Sequence, residues 1–163
     1  MAEGYIMALR QKIGHVPLVV ACASVIIYDE NKGILLQKRK DNGSWCYHGG
    51  SIEPGETAKQ AAQRELFEEV GLHAQKMNLY TVASGADQHF KYPNGDEVHI
   101  VDTVFTCSDF SGAIQLESSE VSDCQWFYWD ELPENINLPT KEPIINFVKE
   151  HLTNKSKRNK NVY

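Results

Sequence analysis

Between residues 18 and 28 nearly every position is apolar or β-branched, and such a run predicts a buried strand. The turn-rich segment 29–33 follows, then a second apolar run at 34–38, so the two strands should form a hairpin. Upstream, Tyr5, Ile6, Leu9 and Ile13 recur at near-helical spacing; they predict a short amphipathic helix that Gly14 and Pro17 end. A loop is expected at 41–44. Residues 57–70 read as a helix between Pro54-Gly55 and Gly71. Strands are expected at 79–84, 97–107 and 124–129, with the Asn94-Gly95 pair turning a hairpin before the second of these. A last helix is expected at 142–152, with Ile144, Ile145 and Val148 on one side. The order is strands, one central helix, strands, then a helix. It implies an α+β fold with helices flanking a mixed sheet.

Length and charge narrow the classes. The 163 residues suit one domain, 1–153, including the N-terminal helix. Residues 154–163, with Lys155, Lys157, Arg158 and Lys160, read as a basic flexible tail, a binding arm being the other reading. The formal charge of -6 argues against general nucleic-acid or anionic-membrane binding but not against an anionic substrate, since a bound metal reverses the local sign. Cys22, Cys46, Cys107 and Cys124 form no CxxC pair and no His cluster accompanies them, so a zinc site is not expected. Cys22, Cys107 and Cys124 lie in strand-like runs and are expected to be small buried hydrophobes. No stretch has the length of a membrane span and no apolar signal core opens the chain, so a reducing cytoplasm is expected.

The helix at 57–70 carries the chemistry. At about 100° per residue, Glu65, Glu68 and Glu69 share an arc of about 100°, with Ala62, Leu66, Phe67 and Val70 on the other side and Ala58 and Ala61 on the acidic face. Three carboxylates on one arc repel one another; Arg64 is placed to pair with Glu68 at i+4. A hard divalent cation would offset far more, because magnesium takes oxygen ligands. A solvated acidic face is the plainer reading of three Glu alone. The wider spacing changes that. Gly50, five residues, Glu56, seven residues, Arg64-Glu65, Leu66, one residue, Glu68-Glu69, one residue, Gly71-Leu72 fills every fixed position of a known signature. A chance match is on the order of 10⁻⁹ per starting point.

On these residues the chain resembles the Nudix (MutT-like) hydrolase superfamily. Similarity extends to the strand at 35–39, the approach at 45–50, the 131–133 turn and the final helix. The resemblance implies a mixed sheet sandwiched between helices and metal-dependent hydrolysis of the diphosphate linkage in a nucleoside diphosphate derivative. Glu65, Glu68 and Glu69 would bind magnesium, or manganese in its place, with the backbone carbonyl of Gly49 as a further ligand. Arg64 would orient the carboxylates, and Gly50, Glu56 and Gly71 would support the signature loop. A Glu from a later loop is expected as well: Glu120 by its placement six residues before Trp126, with Glu117 as the alternative. Glu65 or Glu120 would be the general base. Arg39 is a candidate phosphate contact, with a solvated strand end as the competing reading.

His48 stands where the family usually has Pro, either as a phosphate donor or as a tolerated substitution. The small-molecule substrate is expected to be a nucleoside triphosphate or related nucleotide. ADP-ribose or another nucleotide sugar is the alternative, although residues 84–88 lack the Pro that marks ADP-ribose hydrolases, and NADH and coenzyme A motifs are missing. A non-catalytic nucleotide-binding domain is the rival from another class; the complete set of signature carboxylates argues against it. A homodimer stays open.

Overall fold

In chain order the elements are α1 (Tyr5–Ile13), β1 (Leu18–Asp29), β2 (Gly33–Arg39), β3 (Trp45–Cys46), β4 (His48–Ser51), α2 (Ala58–Val70), β5 (Leu72–Ala83), β6 (His89–Lys91), β7 (Glu97–Gly112), β8 (Val121–Phe127) and α3 (Leu138–Lys160). A 3-10 turn at Ala86–Gln88 precedes β6. The computed structural model describes residues 4–116 and 119–160.

β1 organises the sheet. It runs antiparallel to β2 and β4 and parallel to β7, so the sheet is mixed. β2 also carries β3 and β8, and β7 also carries β5 and β6. Side chains alternate along a strand, so one covered on both faces needs apolar residues throughout. That is why the run at 18–28 is nearly unbroken. Val25 and Ile27 pack with Leu35, Phe105 and Cys107 under Ala61, Ala62, Leu66 and Val70 of α2. Ile26 points the other way, to Ile34, Leu36, Val104 and Ile144 of α3. The expected helix–sheet–helix sandwich is the observed architecture.

Several elements differ from the sequence reading. β5 begins at Leu72, well before residue 79, because Leu72, Ala74 and Met77 turn into the layer beneath α2. Register shifts at Ala74/Lys76, Lys76/Asn78 and Leu79/Thr81 break its alternation and hide it from periodicity. β7 continues to Gly112 because its polar end pairs with the start of β5. On α2, Ala61 is buried in the core rather than set on the acidic face. Phe67, expected on the side with Ala62, Leu66 and Val70, does not share their burial: it is exposed and stacks on His73.

The buried residue of α1 is Arg10, not one of its apolar stripe. α3 reaches Lys160, so residues 154–160 are helical where a frayed tail was expected. Thr153 and Ser156 donate to the carbonyls of Lys149 and Leu152, and each added residue extends the helical hydrogen-bond ladder without needing a core. Of the cysteines, Cys46 and Cys107 are buried while Cys22 and Cys124 are only partly so. Among the described residues no helix is long and apolar enough to cross a membrane.

Candidate active site

α2 is held at both ends by its own sequence. Thr57 Oγ1 accepts from the Gln60 N–H and the Gln60 side chain accepts from the Thr57 N–H, a capping box that satisfies two orphan donors. Gly71 closes the other end at φ 74°, a left-handed conformation that costs glycine little, with its N–H donated to Phe67 O. The core stripe Ala62, Leu66 and Val70 pins the helix to the sheet. This orients Glu65 and Glu69 toward β4.

Glu69 is the buried one, at 7% exposure. Its Oε2 accepts the Gly49 N–H at 3.0 Å. Burial pushes its carboxyl well above the usual range; a Gln37 hydrogen bond and the Gly49 N–H pull back, and the charges of Glu65 and Glu120 push further up. Glu65 is raised as well, by burial first, against the hydrogen bond and charge of Arg64, with Glu68 and Glu120 adding to the rise. Gly50 makes room for it: a Cβ there would stand 2.6 Å from Glu65 Cδ.

Arg64 has a different main partner from the expected Glu68. Its Nε and Nη2 donate to the two oxygens of Glu56 at 2.7 and 3.0 Å, and Nη1 donates to Glu65 Oε1 at 2.7 Å. The Glu68 contact is longer, 3.3 Å, and Glu68 is exposed beside it rather than in the cleft wall. Nη2 also donates to Ser51 O, and Glu56 accepts the Glu53 N–H, so Arg64 and Glu56 staple the loop to the helix. The Arg64 hydrogen bonds hold Glu56 below the usual carboxylate range.

Glu65 and Glu69 line a cleft of about 680 Å³ together with Arg39, Gly49, Gly50 and Glu120. Glu120 arrives there by strand pairing. β8 runs antiparallel to β2 with Val121 opposite Arg39, and the Lys40 N–H donates to Glu120 O at 2.8 Å. Glu117 lies outside the described residues. Arg39 donates twice to Asp41, at 2.9 and 2.7 Å, which holds its guanidinium at the rim. His48 is fully buried, with Nδ1 2.7 Å from Gln37 Oε1, and burial pushes its pKa down to about 4. It is fully buried behind Gln37 and Glu69 and does not line the cleft, so the phosphate-donor reading of His48 is set aside.

Sequence reasoning missed the cleft floor and one wall. Asp102 is buried, accepting Ser24 Oγ at 2.9 Å and Tyr47 OH at 2.8 Å. A lone Asp inside the apolar run 97–107 was the available signal. Arg10 of α1 also lines the cleft and donates Nη2 to Glu97 O at 2.7 Å. An all-oxygen set of carboxylates whose own charges raise one another's pKa fits a hard divalent cation.

The NUDIX domain family model matches residues 19–147. Over 128 residues the chain is 34% identical to the NAD-capped RNA hydrolase NudC of Haemophilus influenzae (strain PittEE), a match taking in 74% of this chain and 45% of NudC. The chain thus spans under half the length of that relative. A Bacillus subtilis (strain 168) protein with the provisional name 8-oxo-dGTP diphosphatase is 35% identical over 124 residues, 76% of each chain. Among solved structures, a MutT NUDIX hydrolase from Burkholderia pseudomallei matches with TM-score 0.67 and 28% identity, covering 77% of this chain and 95% of that one. Since the matched region takes in β1 through β8, α2 with its carboxylates and the start of α3, the chain belongs to the NUDIX family of hydrolases.

Proposed function

We propose that the chain is a divalent-cation-dependent pyrophosphohydrolase acting on a nucleoside diphosphate derivative, with nucleoside triphosphates as its leading substrate class. The observation that carries this is the convergence of Glu65, Glu69 and Glu120, from two distant parts of the chain, on one cleft that Arg39 also lines. A volume of about 680 Å³ lies in the range of small-molecule sites. The substrate class leans on the Bacillus subtilis relative, which matches over 76% of each chain.

Glu65 and Glu69, with the backbone carbonyl of Gly49 and with the exposed Glu68 turned in from beside the cleft, would hold magnesium or manganese, which supplies charge neutralisation at the diphosphate oxygens and acidifies water. The chain's own groups do the rest. Arg64 engages Glu65 Oε1 and leaves the other carboxylate oxygen for the cleft. Glu65 or Glu120 takes the proton of the attacking water as its oxygen bonds to phosphorus and the bridging P–O bond breaks. Gln37 and the Gly49 N–H hold Glu69 in place. Arg39, aligned by Asp41, meets phosphate charge at the rim. The products are a nucleoside monophosphate and pyrophosphate.

A second reading, a dinucleotide or nucleotide sugar such as NAD or ADP-ribose, is favoured by the NudC relatives, whose name specifies an NAD cap. The net charge of -6 speaks against an RNA chain as the attached group. A reducing cytoplasm, which suits four free cysteines, belongs to the same proposal. The test is a panel of nucleoside triphosphates, ADP-ribose and NAD, with products resolved by chromatography and magnesium or manganese present or withheld. Metal-dependent monophosphate formation, fastest from a triphosphate, is expected. No hydrolysis of any member with either metal would leave the non-catalytic binding domain standing instead.

A further inference from the structure

We propose that His89, His99 and Glu97 form a second metal site, for a borderline first-row dication of the zinc type, on the outer face of the β6–β7 hairpin. The site is separate from the carboxylates of the cleft and does not depend on the reaction proposed for them.

The hairpin register brings the three together. His89 on β6 is the direct partner of His99 on β7, and Glu97 precedes His99 by two positions. Side chains two apart on a strand share a face, and direct cross-strand partners are neighbours. His89 Nε2 lies 2.9 Å from Glu97 Oε1, and the two imidazoles stack at 4.8 Å with 29° between their planes. One donor atom from each residue lies within 4.8 Å of the other two. Tetrahedral zinc with bonds of about 2.0–2.2 Å needs donors about 3.4 Å apart. The three side chains are partly exposed, so small rotamer changes close that gap. An ordinary His89–Glu97 pair accounts for two members of the cluster but not for the ring of His99 laid over His89.

Donor chemistry decides the metal. Two imidazoles and one carboxylate suit zinc, cobalt, nickel or copper, whereas the oxygen-only cleft suits magnesium or manganese. The two sites should therefore sort metals. Around the outer face, Val19 is the register partner of His99 on β1 and is 77% exposed, so a remaining coordination position opens to water. Lys91, the partner of Glu97, is exposed and its flexible stem can move its charge into solvent. Val98 and Ile100, which point to the opposite face, line the cleft. A metal here would clamp β6 to β7 from behind and stiffen a cleft wall without entering it. β6 is only three residues long and has few ladder bonds of its own to do this.

Cysteine competition is small. Burial pushes the thiols of Cys22, Cys46 and Cys124 up to about 12, and it is the thiolate that binds zinc. The experiment is calorimetric titration of the untagged full chain with zinc chloride, in millimolar magnesium to occupy oxygen-only sites. One zinc per chain is expected. The His89→Ala/His99→Ala double variant should bind at least tenfold more weakly, and Glu97→Gln should bind several-fold more weakly. Zinc should raise the melting temperature of the parent but not of the double variant. Matching isotherms for parent and double variant would overturn the site. If circular dichroism shows the double variant unfolded, cobalt titration of the parent followed by NMR decides. Selective paramagnetic shifts of the His89 and His99 ring protons support the site, and unshifted rings reject it.

Discussion

Glu69 is a carboxylate that the fold buries beside two others, and that conflict makes it testable. The folded chain keeps Glu69 protonated to a higher pH than an unfolded chain would, so ionising it costs stability. The Glu69 contribution in the metal-free protein therefore falls as pH rises from the ordinary value of 4.5 through the raised one. His48, held down at about 4, works in the opposite sense: its contribution is present above 6.5 and lost toward pH 4. His48 Nδ1 stands 4.0 Å from Glu69 Oε2, but at pH 8 it is neutral in the folded and the unfolded chain and does not enter the comparison there. Metal-free Glu69→Gln should melt above the parent at pH 8, with the gain shrinking toward pH 5, while its kcat with magnesium supplied drops by orders of magnitude below that of the parent. Scanning calorimetry at both pH values, with turnover, checks this; a variant that melts no higher at pH 8 contradicts it. For Glu120→Gln the expected loss is in kcat with KM little changed, because a base acts in the transition state. Equal kcat at saturating magnesium would remove Glu120 from the mechanism. Gly50→Ala would push a methyl into the Glu65 carboxylate, so activity should fall at least tenfold with little change in melting temperature.

At the scale of elements, α2 was legible as a helix, though not in the placement of Ala61 and Phe67, because every device that makes it a helix is local. Its cap, its apolar stripe and its terminal glycine lie within residues 57–71. Replacing Thr57 by Ala should cost about 1 kcal/mol in denaturant unfolding, since the N-cap acceptor is lost. α1 was legible as a helix but not in its attachment. The buried guanidinium of Arg10 donates to the carbonyls of Gly14, Val16 and Glu97, so it ties α1 to the start of β7. The distant partner, the carbonyl of Glu97, leaves no trace in spacing. Arg10→Ala should raise amide exchange across residues 5–13 and increase KM, because Ile6 and Met7 of α1 also line the cleft. Unchanged exchange in α1 would show that Arg10 is not the tie. β5 was read short because its register shifts defeat any fixed period.

For the whole molecule, the sheet is the shared wall of two cores; the cleft is floored by Ser24 and Asp102, on the face that Ile26 and Val104 share, and α2 supplies its carboxylates from beside it. Leu66, next to Glu65 on α2, is fully buried in the other core. Leu66→Ala should cost about 2–5 kcal/mol, the usual range for a buried leucine cavity. Metal binding to the folded state should offset part of such a loss by mass action. Magnesium should raise the melting temperature of the parent, and chelator should abolish both that rise and the turnover. A Glu65→Gln/Glu69→Gln variant should show no magnesium-dependent rise. A full rise in that variant would place the cation elsewhere.

Sequence alone determined the acidic helix, the signature that led to the family, the buried strand β1 and the alternation of strands and helices. These are properties of neighbouring residues: a helical arc, a capping pair and an apolar run are complete within a few turns or one strand. Tertiary structure alone decided which carboxylates are buried, because the burial of Glu69 depends on β4 lying across it. It also decided that Glu120 joins the cleft, since β8 must first pair with β2. The placement of Asp102 in the cleft floor, the clamp of Arg10 and the His89–His99 pairing are decided at the same level. Each depends on partners far away in the chain, and the geometry that unites them exists only once the sheet register is set.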